Sequence, residues 1–179
     1  MSGNIIFTFD SFDKQRILKH GIIKFFKIVV IGSQSAGKSS VLEKIVGENF
    51  LPTGNGCVTK RPLHLNLLQS DESSVTISYY DYVKKSEVNK NDLNLNELAE
   101  AINQANSFED PKTFISQPIN VSISGPQKPD LTLIDFPGIV ANEEERDMIE
   151  KMIKPNINKE TSIILAVSRL LSCTLFLML

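Results

Sequence analysis

Short apolar runs alternate with amphipathic stretches along most of this chain, and the spacing predicts an α/β fold. Phe25–Ile31 is apolar except for Lys27, is partly β-branched and stops at Gly32, as a buried parallel strand does. Ser39 to Val46 has helical spacing, with Gly47 placed to cap its C-terminus. Leu63, Leu65 and Leu67 alternate with His64 and Asn66, and a second alternating run spans Ser74–Val83; both predict half-buried strands. Residues 84–94, rich in Lys and Asn, predict a surface loop. Leu95, Leu98, Ala99 and Ile102 then recur at helical intervals, with Asn94 and Glu97 as a capping pair. Ile119, Val121 and Ile123 alternate again, Leu131–Asp135 is an apolar strand ending in an acid, and Glu143–Lys154 is an amphipathic helix. Ile163–Val167 reads as a last buried strand. Asp10 to His20 predicts a short polar helix, and residues 52–56, Pro-Thr-Gly-Asn-Gly, a loop. Together these elements predict a central, mostly parallel sheet with helices on both faces.

Composition narrows the partners. The 179 residues suit one domain with a sizeable core. Lys and Arg number 19 against 21 Asp and Glu, a net charge of −2, so no broad basic field exists for nucleic acid and any phosphate recognition is local. Cys57 and Cys173 form no C-x-x-C pair, which argues against a zinc site or disulfide framework and for a reducing, cytoplasmic setting. The N-terminus lacks the pattern of a signal peptide, and Ser2 stands where myristoylation requires glycine. The apolar stretch from Ser162 to Leu179 is interrupted by Arg169, and its first half reads as a strand rather than a membrane span.

Chemistry enters at residues 32–39. Gly32-Ser33-Gln34-Ser35-Ala36-Gly37-Lys38-Ser39 fits G-x-x-x-x-G-K-[ST], between a predicted strand and a predicted helix, where a phosphate loop belongs. Glycines let the backbone curl so that N–H groups point at phosphate oxygens, and the helix adds its positive end, with Ser40 in its first turn. Lys38 is then expected on the β- and γ-phosphates and the Ser39 hydroxyl on Mg²⁺. Asp135, ending an apolar strand before Phe136-Pro137-Gly138, is a second candidate for holding Mg²⁺, and Gly138 leaves room for its N–H to approach the γ-phosphate. Taken alone, Asp-Phe-Pro-Gly is as readily a turn, and Thr59 a solvated loop hydroxyl.

These residues resemble the dynamin superfamily of large GTPases. Gly32 to Glu43 resembles that family's first nucleotide motif, and Gly47-Glu48-Asn49-Phe50-Leu51-Pro52-Thr53-Gly54-Asn55-Gly56-Cys57-Val58-Thr59-Lys60-Arg61-Pro62 resembles its switch one. Pro129 to Ile139 resembles switch two, with Phe136 where relatives carry Leu, and Ile163–Val167 resembles the following strand. The likeness runs over roughly residues 28–167 and is nearer the dynamin-related proteins than the guanylate-binding or atlastin-like branches. It implies that Gln34 orients the attacking water. It also implies that Ser35, with the carbonyls of Gly54 and Gly56, holds a monovalent cation, Na⁺ or K⁺. Thr59 would coordinate Mg²⁺ and hold the water. The family's partners would be GTP, a second GTPase domain met face to face and, for a full-length protein, membranes or microtubules, at the cytoplasmic face of organelles.

The resemblance divides the chain into an N-terminal segment, 1–23, a partial GTPase domain, 24–167, and a divergent apolar tail, 168–179. Phe25-Phe26 stand where relatives carry Leu-Pro. Ser168 to Leu179 lacks the expected turn, and no T-K-x-D motif, which reads guanine, occurs. A truncated product is the plain explanation of that tail. A non-catalytic interaction fragment and a phosphate-loop ATPase therefore stand as alternatives to GTP hydrolysis.

Overall fold

The computed structural model describes residues 26–52, 59–107, 114–157, 162–168 and 174–176. The helix expected at residues 10–20, the carbonyls of Gly54 and Gly56, and the segment 1–23 lie outside the described residues.

Eight strands form one sheet in the order β4-β3-β5-β2-β6-β1-β7-β8. They are β1 Phe26–Gly32, β2 Leu63–Gln69, β3 Ser74–Asp81, β4 Ser86–Lys90, β5 Ile119–Gly125, β6 Leu131–Asp135, β7 Ser162–Val167 and β8 Thr174–Phe176. The helices among the described residues are α1 Lys38–Val46, α2 Leu95–Ala105 and α3 Glu143–Ile157. The sheet is mixed. Parallel pairing joins β6, β1 and β7 in its centre and also β2 with β5, while β2 meets β6 antiparallel and β3, β4 and β8 add antiparallel partners.

Alternation along each central strand splits the apolar residues between the two faces of the sheet. Ile28 and Val30 of β1 join the larger core with Leu42 and Val46 of α1, Leu98, Ala101, Ile102 and Ala105 of α2, and Leu165 and Val167 of β7. Val29 points the other way, into a smaller core with Ile134, Phe136, and Ile149 and Ile153 of α3. Helices thus cover both faces, as the sequence predicts.

Three boundaries differ from the sequence reading. Residues 84–94 are not wholly loop: Ser86–Lys90 is β4, an edge strand against β3. Its side chains are mostly exposed, so it lacks the apolar alternation that marks a strand. The turn that launches it is local: the Asp81 carboxylate accepts from the N–H groups of Val83 and Lys84 at 3.0 and 2.9 Å, Lys85 adopts φ 53°, and β3 ends at Asp81 rather than Val83. Helix α3 continues past Lys154 through Pro155 to Ile157 although Pro155 has no N–H to offer the preceding turn, and the Asn156 side-chain amide donates to Met152 O at 3.1 Å. In the tail, β8 returns antiparallel along Ile164–Ala166 of β7. No helix among the described residues is long and apolar enough to cross a membrane.

Leu133 is 0% exposed at the centre of the larger core. Leu133→Ala is expected to lower stability by about 2–5 kcal/mol in urea unfolding. Asn94→Ala removes a capping box on an exposed helix end and is expected to cost about 1 kcal/mol.

Candidate functional site

Strand β1 ends at Gly32, and the chain curls through residues 33–37 into α1. Ala36 N–H donates to Ser33 O at 3.2 Å, Ser35 takes φ 59° and Gly37 takes φ 98°, so two left-handed residues make the curl. The segment after β6 lies against it: Ile139 N–H donates to Gly32 O at 3.0 Å, and Gln34 N–H donates to Ile139 O at 3.3 Å. Gly138 sits at this seam. A Cβ there would come within 2.7 Å of Gln34 Cα and 3.1 Å of Lys38 Nζ, so only glycine fits.

The N-terminus of α1 differs from the other two. Helix α2 begins with the reciprocal Asn94–Glu97 capping box. Helix α3 has Glu143, Glu144 and Glu145 in its first turn, and Asn142 Oδ1 accepts from Glu145 N–H at 3.0 Å. Helix α1 follows Gly37 at its N-cap, with no side-chain cap and no acid in its first turn, where Ser39 and Ser40 are exposed. Its first N–H groups and the positive end of its dipole face outward with nothing anionic from the same helix to meet them, which suits a phosphate.

Lys38 and Asp135 are buried beside this end, 8% and 3% exposed. Lys38 Nζ reaches back along the loop to Ser33 O at 3.4 Å and Gly32 O at 3.5 Å. Burial pushes its ammonium pKa down, and the nearby Asp135 partly restores it. Burial pushes the Asp135 carboxyl up to about 7, against the opposing pull of Lys38. Asp135 Oδ1 is buried with no hydrogen-bond partner. An orphaned carboxylate oxygen at such depth is costly unless a cation or its water satisfies it.

A small cleft brings Asp135 together with Ser39 and Thr59, and Pro52, Arg61 and Asn106 help to line it. Two hydroxyls and one carboxylate are hard oxygen donors. Together with the orphaned Oδ1 they fit Mg²⁺, which takes few protein ligands and fills its shell with water and phosphate. Among the described residues no group of three or more His, Cys, Asp and Glu could hold a metal by itself. The structure therefore gathers Gly32, Ser33, Gln34, Ser35, Ala36, Gly37, Lys38, Ser39, Ser40, Asp135 and Gly138 at one sheet edge, with Thr59 across the cleft.

Sequence reasoning passed over the residues that hold this edge in place. The Glu43 carboxylate accepts from the N–H groups of Phe50 and Leu51 at 3.1 and 3.0 Å. Lys128 Nζ donates to Val46 O at 3.1 Å and to Glu48 at 2.7 Å. Arg61 is fully buried. In the sequence each reads as a solvated charge.

A glycine loop between a central parallel strand and an uncapped helix, with a buried lysine and a buried aspartate at one edge, defines a phosphate-loop domain. The dynamin family profile matches residues 28–172, and the chain belongs to the dynamin family. It is 39% identical over 155 residues to Dynamin-A of Dictyostelium discoideum, an alignment covering 79% of this chain and 18% of that protein. It is 40% identical over 149 residues to Dynamin-related protein 12A of Glycine max, covering 79% and 24%. It is 37% identical over 159 residues to the mitochondrial dynamin-like GTPase MGM1 of Chaetomium thermophilum, covering 86% and 17%. The chain thus spans less than a quarter of the length of these relatives.

Asp135 titration gives a test. Its folded pKa of about 7 lies above the ordinary 3.8, so the folded state holds the proton more tightly and its contribution to stability falls as pH rises from about 4 to 7. His64, pushed down to about 4 by burial and by Lys27, has the opposite slope between about 4 and 6.5. Only a comparison of variants separates the two. Asp135→Asn is expected to gain stability relative to the parent chain as pH rises from 4 to 7, with a constant difference above 7, in thermal melts without metal.

Proposed function

We propose that this chain binds GTP with Mg²⁺ and forms the phosphate- and metal-holding part of a dynamin-like GTPase. The uncapped N-terminus of α1, set beside buried Lys38 and the unpaired Oδ1 of Asp135, carries the reading. In it, residues 32–40 wrap the phosphates with backbone N–H groups, and Lys38 swings from the carbonyls of Gly32 and Ser33 to the β- and γ-phosphates. Ser39, Thr59 and Asp135 would hold Mg²⁺, which when bound would neutralise phosphate charge. Gln34 orients the attacking water, and Gly138 N–H approaches the γ-phosphate. Ser35 contributes to a monovalent cation site with the carbonyls of Gly54 and Gly56. Residues 24–167 form the GTPase part. The whole protein works in the cytoplasm by pairing GTPase domains and remodelling a membrane. What supports these assignments is the shared edge of the sheet and the family likeness.

A second reading, a non-catalytic fragment, has one observation behind it. Strand β8 returns antiparallel on β7 instead of continuing the run of parallel neighbours β6, β1 and β7. Calorimetric titration with GTP and ATP, with and without Mg²⁺, followed by a phosphate-release assay, separates the readings. Expected are Mg²⁺-dependent GTP binding and turnover above that of Lys38→Ala, which is expected to lose about tenfold to a hundredfold in affinity. Ser39→Asn is expected to weaken the Mg²⁺-dependent part selectively. Turnover equal to that of Lys38→Ala selects the non-catalytic reading, and a preference for ATP removes the GTPase one.

A further inference from the structure

We propose that Arg61 is a positioning residue whose buried guanidinium fixes Thr59 at the cleft it shares with Ser39 and Asp135. This rests on reading that cleft as the metal and nucleotide site. Arg61 is 0% exposed, and its hydrogen bonds all end on backbone carbonyls. Nε donates to Gln117 O at 3.0 Å, Nη1 to Tyr80 O at 3.0 Å and Ala105 O at 3.2 Å, and Nη2 to Pro118 O at 3.4 Å. The rings of Tyr79 and Tyr82 lie 5.9 and 5.6 Å from Cζ. Ala105 closes α2, so one acceptor belongs to the negative end of a helix.

A guanidinium at this depth persists only where every direction of its fork is answered. Here four carbonyls from three separate segments answer it: the end of β3, the end of α2 and the stretch leading into β5. Each of its three nitrogens meets a carbonyl and the side chain is hidden from solvent, so Arg61 does not contact phosphate itself. A lysine carries the charge on a compact ammonium and cannot span the same acceptors.

The chain on either side of Arg61 is tied to the same elements. Lys60 N–H donates to Asn106 Oδ1 at 3.3 Å, and Asn106 Nδ2 donates to Ile102 O at 3.1 Å. Lys60 O accepts from Ile115 N–H at 3.1 Å, and Pro62 O accepts from Ile119 N–H at 2.8 Å. Residues 60–62 are therefore held in place, and Thr59 is the next residue out, with Arg61 and Asn106 lining its cleft. A hydroxyl that must meet a cation depends steeply on such placement.

The test compares the parent chain with R61M, R61K, T59A and the double variant R61M/T59A. Calorimetry measures affinity for GDP and for a non-hydrolysable GTP analogue, each with and without Mg²⁺. R61M is expected to hold GDP within about twofold of the parent chain and to lose about tenfold of the Mg²⁺-dependent gain for the triphosphate. R61K falls near R61M, because the fork and not the charge is used. R61M/T59A is no weaker than T59A alone, because both substitutions act through one hydroxyl. An undiminished gain in R61M, or additive losses in the double variant, overturns the proposal. Should R61M fail to fold by circular dichroism, N106A replaces it, with an expected loss of about threefold in the same gain and an unchanged gain overturning. A parent chain with no Mg²⁺-dependent gain removes the reading of the cleft and the proposal with it; a parent gain that R61M leaves intact removes the proposal alone.

Discussion

Parallel pairing of β1 with β6 sets the geometry of the phosphate edge. Two parallel neighbours finish at the same side of a sheet, and the register that places Val30 beside Asp135 brings the phosphate loop and the acid to that side together. The chain after β6 then folds back to bond with Gly32 and Gln34, and the tightness of that return admits only glycine at 138. Packing above and below removes water from Lys38 and Asp135, which makes both uncomfortable as ions and sharpens their response to an arriving phosphate or cation. One choice of strand neighbour thereby fixes position, electrostatics and the shape of the seam.

The rest of the edge is held by side chains that reach across elements. Glu43 joins α1 to the turn at Phe50 and Leu51, and Lys128 joins the end of α1 to the connection between β5 and β6. The segment bearing Thr59 leaves one such tie at Leu51 and meets the next at Lys60. Charged groups that hydrogen-bond backbone in this way contribute more to orientation than to net stability.

Most of the fold was legible because its signals are local. The apolar run of β1, the alternation of β2 and β5 and the Asn94–Glu97 cap each declare an element within a few residues. Strand β4 escaped because an edge strand with two wet faces carries no apolar period; Asp81, whose carboxylate shapes the turn, was its only marker. The phosphate loop, Asp135 and Gly138 were legible as a motif, but the partnerless Oδ1 and the shifted proton affinity of Asp135 were not, since they depend on burial by distant residues. Arg61 was the least readable of all. Its acceptors are carbonyls of Tyr80, Ala105, Gln117 and Pro118, and a carbonyl is the same atom in every residue type.

The aromatic surroundings of Arg61 have an optical consequence. The chain has no tryptophan and three tyrosines, and Tyr79, Tyr80 and Tyr82 all lie at the end of β3, with the Tyr80 and Tyr82 rings 4.9 Å apart edge to face. Tyr79 and Tyr82 also flank the guanidinium. The tyrosine emission of the polypeptide therefore originates at a single junction, next to the backbone that leads to the cleft. The molecule carries its own unlabelled tyrosine reporter at the place where nucleotide-driven rearrangement would be felt.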